Sequence, residues 1–234
     1  LLGDERGLAG VLAFAEPYRD RLVLPIDEPP DQLYRLITHE LTHIFQFDII
    51  PTGLIRRNMP LWTMEGMSDY LTGYWRPLDI MTVRDAAVSD IVPKMSEMQD
   101  YGGFSNPRLI YNLGHAAFEF MESRWGKEGV RAYVFALRRS VIGGTDDAYQ
   151  EAFQMEAAEW DQQFDKYLKD RFKPFRDKER PADYGRDLSP DPRKSSFANA
   201  LSIEPSPSGD LIAVMTGNGK DRELDIVLVS AKDG

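Results

Sequence analysis

A chain of 234 residues, 42% of them hydrophobic, can bury one good core and the start of a second; without cysteine it has neither disulfides nor thiolate metal ligands. Its formal net charge of −10 argues against a nucleic-acid or anionic-membrane surface, since both call for basic patches. No apolar run approaches the roughly 20 residues that would span a bilayer.

The chain begins at Leu1-Leu2-Gly3-Asp4, without methionine or signal sequence, and ends inside what reads as a repeat. It is therefore expected to be a fragment of a longer protein, with its compartment left open. Residues 8–15 and 21–26 are short apolar runs separated by Glu16-Pro17-Tyr18-Arg19-Asp20 and read as two antiparallel strands joined by a turn.

Pro29-Pro30-Asp31 opens a helix, with proline tolerated in the first turn and Asp31 favourable near the positive end; Pro51-Thr52-Gly53 closes it. Inside it lies His39-Glu40-Leu41-Thr42-His43. Two histidines four apart, with a glutamate after the first, let one helix hold Zn²⁺ through two imidazoles while the carboxylate of Glu40 reaches the water on the metal. At about 100° per residue, Leu33, Ile37, Leu41 and Ile44 are expected to form an apolar stripe facing a core. His39 and His43 lie just off its edge, with Leu36, Glu40 and Phe47 between; Arg35, Thr42 and Gln46 fall on the polar side. The bland alternative makes both histidines border residues of an ordinary helix.

Residues 51–60 form a loop to a second helix, opened by Pro60 and reading Leu61-Trp62-Thr63-Met64-Glu65-Gly66-Met67-Ser68-Asp69-Tyr70. Catalytic zinc usually takes three protein ligands and keeps one position open. Glu65 is the expected third ligand. Asp69, one turn on, is expected to accept the free N–H of a zinc histidine and fix its tautomer; two solvated surface acids are the alternative.

Helical pattern then runs from Thr82 to Asp100, interrupted at Pro93, and residues 101–107 form a loop. Residues 108–125 form an apolar helix ending at Gly126, and further helices follow over Glu128–Ser140, Thr145–Gln154 and Ala157–Phe172. In the last of these Trp160, Phe164, Tyr167, Leu168 and Arg171 recur at helical spacing, so its aromatics are core anchors. Residues 173–195, mixed in charge and rich in proline, read as a linker. Apolar strands then flank Ser206-Pro207-Ser208-Gly209-Asp210 and continue at Leu224-Asp225-Ile226-Val227-Leu228-Val229.

HELTH followed by Glu65 and Asp69 resembles the gluzincin metallopeptidases, the group of thermolysin and the aminopeptidase N-like enzymes. Glu65 to Asp69 is similar to the thermolysin pattern, Trp62 to Gly66 to the aminopeptidase N-like branch. The resemblance implies a substrate-binding edge strand beside the zinc helix, a mainly helical C-terminal lobe, and a role for Tyr111 of Tyr111-Asn112-Leu113-Gly114 as hydrogen-bond donor to the tetrahedral oxyanion. A core tyrosine is the alternative. His115, one turn on, is a possible second donor or else a core histidine. The branch's Gly-x-Met-Glu-Asn amine-binding motif is missing, Glu16 being the nearest acid, which speaks against exopeptidase action. The Ser-Pro-Ser-Gly-Asp turn resembles one blade of a TolB-like β-propeller.

The expectation is an α+β chain: a gluzincin-type domain over residues 1–173, a linker over 174–195 and a partial propeller blade over 196–234. The expected chemistry is zinc-dependent hydrolysis of peptide bonds, more endo- than exopeptidase, with His39, His43 and Glu65 on the metal and Glu40 as general base. The expected partners are a peptide or protein substrate and a further protein through the propeller, without nucleic acid or a membrane span. The resemblance leans towards an exported protein. The rival is a non-catalytic binding protein that zinc stabilises.

Overall fold

The computed structural model describes residues 13–16, 20–50, 59–98, 108–139, 146–178, 185, 186, 188, 197–218 and 224–233. The expected loops at 51–58 and 101–107, the start of the first strand and most of the linker lie outside them. The fold is α+β, mainly helical, with two small antiparallel sheets, and it separates into one compact unit up to Asp177 and a second from Lys178. Among the described residues no helix is long and apolar enough to cross a membrane.

Two antiparallel strands form the expected hairpin in the first unit, β1 (Phe14–Glu16) and β2 (Arg21–Val23), in the register Phe14↔Val23, but Glu16 belongs to β1 rather than the turn and β2 ends at Val23, short of Ile26. Arg21 forks onto both oxygens of Glu16 at 2.7–3.0 Å, so that carboxylate is engaged within the hairpin.

Helix α1 (Pro30–Ile49) has proline at its first position and Asp31 in its first turn. Its buried face departs from the expected stripe. Ile37 and Leu41 are exposed, while His39, Glu40, Thr42, Ile44 and Gln46 are buried. The physical reason is the partner: α2 (Leu61–Leu71) turns Glu65, Ser68 and Asp69 towards α1, and only polar side chains can satisfy them.

Helix α3 (Pro77–Val88) starts earlier than Thr82 because Pro77 preorganises its first turn. It stops at Val88 rather than continuing to Pro93. Asp90 takes a left-handed φ of 56°, and Ile91 N–H donates to Ala86 O at 3.0 Å, closing the carbonyl end as a Schellman motif does. Only a 3₁₀ turn over Met95–Glu97 remains of the later pattern among the described residues.

Helix α4 (Arg108–Arg139) breaks where expected, at Gly126, with φ 69°. It crosses α2 at direct backbone contact: a Cβ on Gly66 would stand 2.4 Å from the Cα of Gly114, and one on Gly114 would stand 2.4 Å from Trp62 O. This approach seats Trp62 against Phe118 and Tyr133 and sets the height of Glu65 and Asp69. Helices α5 (Asp146–Phe153) and α6 (Ala157–Arg176) complete the core. Trp160, Phe164 and Leu168 are buried as expected, but α6 runs past Phe172, with Pro174 in its last turn, so the connecting segment begins later than residue 174.

The second unit is a three-stranded meander of β3 (Phe197–Pro205), β4 (Leu211–Asn218) and β5 (Leu224–Ser230). The expected turn joins β3 to β4: Gly209 adopts φ 77° and Ser206 Oγ accepts from Leu211 N–H at 3.1 Å.

Candidate metal centre

Where α1 meets α2, three acceptor atoms converge. His39 Nε2 lies 3.2 Å from Glu65 Oε2, His43 Nε2 lies 3.4 Å from the same oxygen, and the two Nε2 atoms are 3.2 Å apart. His39, His43 and Glu65 could therefore hold a metal ion.

The tautomers follow from what holds the far side of each ring. His39 Nδ1 is 2.8 Å from Asp69 Oδ1, a carboxylate that can only accept, so Nδ1 carries the proton. His43 Nδ1 is 2.8 Å from Gln46 Oε1, and Gln46 Nε2 donates to Met64 O at 2.9 Å. That second bond orients the amide, so Nδ1 of His43 is again the donor. Ser68 supports the arrangement, donating to Met64 O at 3.0 Å with its oxygen 3.3 Å from His43 Nδ1.

Both Nε2 lone pairs thus point at Glu65 Oε2. Three acceptors at this separation repel unless a cation sits among them. A tetrahedral ion with bonds of about 2.0–2.1 Å to nitrogen and oxygen requires donor atoms about 3.3 Å apart, and the observed triangle has that size. The donor set fits a metal.

Protonation equilibria respond to the same convergence. A proton competes with a metal for the same triangle: at His39 burial opposes the charged ring, but bonds donated to Asp69 and Glu65 outweigh it and push the ring up to about 9, and a metal would displace the Nε2 proton. Burial likewise opposes ionisation of Glu65, and the bonds from His39 and His43 overcome it, holding the carboxyl at about 2. Asp69 is also held at about 2 against its burial, through His39 and the guanidiniums of Arg108 and Arg35. Glu40 behaves differently. Burial raises its carboxyl above the ordinary range; the His39 and His43 charges pull it back, and Glu65 pushes it up.

Several members of the site escaped the sequence reading. Arg35 and Arg108 each donate to Asp69 at 2.8 Å, one to each oxygen. Behind them lies buried Asp79, 3.8 Å from Arg35, 3.7 Å from Arg108 and clasped by Arg76 at 2.8 Å. Arg35 stands four residues before His39 and Gln46 three after His43, so helical spacing marked both as neighbours of the ligands. Nothing local marks Arg108 or Asp79.

Tyr111 is brought to the site: its ring stacks 6.3 Å from that of His39, with the Arg108 guanidinium 4.7 Å above it. His115 is placed elsewhere. Its ring lies 3.9 Å from that of Trp75, its Nε2 is 3.8 Å from Glu119, and burial pushes it down to about 4. No family model, curated protein or solved structure matches the chain.

Proposed function

We propose that the chain is a zinc-dependent peptidase of gluzincin type, cutting peptide or protein substrates internally. The observation that carries this reading is the convergence of two oriented Nε2 lone pairs and Glu65 Oε2, with the buried Glu40 carboxyl beside them. Two imidazoles and a carboxylate suit zinc. When bound, zinc supplies Lewis acidity, polarising a carbonyl oxygen and acidifying water to a pKa of about 7.

The chain's own residues do the rest. Asp69 and Gln46 hold the imidazoles in the tautomer that presents Nε2. Glu40 takes a proton from the attacking water and delivers it to the leaving amine. Tyr111, against the His39 ring, donates to the developing oxyanion. Internal cleavage is favoured because the amine-binding motif is missing and Glu16 is already bound by Arg21.

The rival reading, a metal-stabilised binding protein, draws on the second unit. Met215, Ile226 and Leu228 occupy one face of the meander and Val214, Val227 and Val229 the other, as the inner layer of a propeller blade does. Such a sheet could bring a partner to an enzyme equally well.

Metal content by mass spectrometry, alongside cleavage of an unfolded protein substrate with and without chelator, tests the proposal. One zinc per chain and chelator-sensitive cleavage are expected. Glu40→Gln should keep the zinc and lose about 10²–10⁴-fold in kcat, and Tyr111→Phe should keep it and lose about 10²-fold. Wild-type protein without zinc would sink the reading.

A further inference from the structure

A cavity of about 600 Å³ lies between α2, the two halves of α4 and the end of α1. It occupies the opposite face of α2 from the metal centre: Met67, Tyr70 and Leu71 line it, whereas Glu65, Ser68 and Asp69 meet α1. The volume is that of a small-molecule site. Met67 and Leu71 form one wall, and Val130, Val134 and Phe135 another. The most buried polar group lining it, His115, is held neutral by burial against Trp75, so that region also suits an apolar body.

Four charged side chains line the cavity, and they are not equivalent. Glu119 already accepts from Trp75 Nε1 and from Arg171, each at 2.6 Å, and Glu122 accepts the Tyr70 hydroxyl at 2.7 Å. Lys127 has no ion pair or hydrogen bond among the described residues. Arg131, one turn on, reaches Glu128 only at 3.9 Å and otherwise lies over the Phe135 ring at 5.6 Å. The carboxylates are thus bonded from within the protein, while of the two exposed cations on one helix face Lys127 is unbonded among the described residues and Arg131 has only the long contact to Glu128. With Arg171 behind Glu119 and Glu128 near Arg131 the charges balance, and Lys127 is the lining cation without a partner among the described residues.

We propose that this cavity binds a small apolar carboxylate, its hydrocarbon body between the α2 and α4 walls and its carboxylate at Lys127 and Arg131. The occupant is a medium-chain aliphatic acid, for which decanoate serves as the probe. The site lies on the other face of α2 from Glu65 and Asp69.

Calorimetric titration of the full chain with decanoate, decylamine and decanol tests this, with Trp75 as a fluorescent reporter in the cavity wall. Decanoate should bind at one per chain, about tenfold or more tighter than decylamine or decanol. Charge reversal with Lys127→Glu and Arg131→Glu should invert the preference between decanoate and decylamine. Leu71→Trp, at a half-exposed position that tolerates a larger side chain, should fill the space and weaken decanoate at least about tenfold. No decanoate binding, decylamine binding as tightly as decanoate to the wild type, or decanoate affinity unchanged in Leu71→Trp would each overturn the proposal.

Discussion

The bond from Gln46 to Met64 O decides which nitrogen of His43 can face a metal, because an amide held at its nitrogen can only accept at its oxygen. Gln46→Leu removes that constraint while leaving all three donor atoms in place. Metal affinity should fall about 10–100-fold, as it does when groups behind metal ligands are lost, and competition with a chromophoric chelator measures it. Asp69 has a wider reach, since it holds His39 and answers the charges of Arg35 and Arg108.

His115 carries the pH dependence that can be read most directly. Its folded pKa of about 4 lies below the unfolded value of about 6.5, so the unfolded chain binds more protons between those limits. The stability this buried neutral ring allows is fully present above about pH 6.5 and is lost as pH falls towards 4. The difference in unfolding free energy between wild type and His115→Gln should shift by up to about 3 kcal/mol across that window. Urea titrations of chelator-treated protein at several pH values check it.

At the scale of elements, the contact of α2 with α4 governs the metal centre without touching it. Around Gly66 and Gly114 the near atoms are backbone on both sides, so neither helix can yield by turning a side chain. Gly66→Ala should destabilise by about 3 kcal/mol or more and weaken metal binding as well, since α2 must shift and carries Glu65. Gly126→Ala is the control. Nothing lies within 4 Å of a Cβ there, and only the backbone is strained, φ 69° with ψ −176° being a conformation essentially confined to glycine, at about 1–3 kcal/mol. Thermal melts with metal analysis separate the two.

Helix α1 shows how a local pattern is overruled. Tyr34, Ile37, Leu41 and Phe45 recur on one face and are exposed, while the polar His39, Thr42 and Gln46 are buried. Apolar periodicity normally identifies the inward face, but here the surface offered by α2 is a set of carboxylates, a hydroxyl and a carbonyl. Matching those groups outweighs burying a few methylenes.

For the molecule as a whole, every residue of the metal centre belongs to the first unit. A chain ending at Asp177 should therefore bind metal with the stoichiometry and affinity of the full chain, as measured by the same chelator competition. The second unit carries apolar residues on both faces, with Ile226 and Leu228 largely exposed. A sheet of that kind is stable when covered on both sides.

Helical spacing alone placed His39, Glu40 and His43 on one helix and Glu65 with Asp69 on another, because 3.6 residues per turn converts sequence distance into direction. Proline and glycine marked the starts of α1, α2 and the break in α4 for equally local reasons, the restricted φ of one and the freedom of the other. Meeting across the chain is another matter. That Arg35 and Arg108 both grip Asp69, that Asp79 lies behind them, and that His115 lines a cavity while Tyr111 stacks on His39 depend on which surfaces pack together. Those pairings are set by contacts between residues tens of positions apart, such as Gly66 on Gly114, which no periodicity encodes.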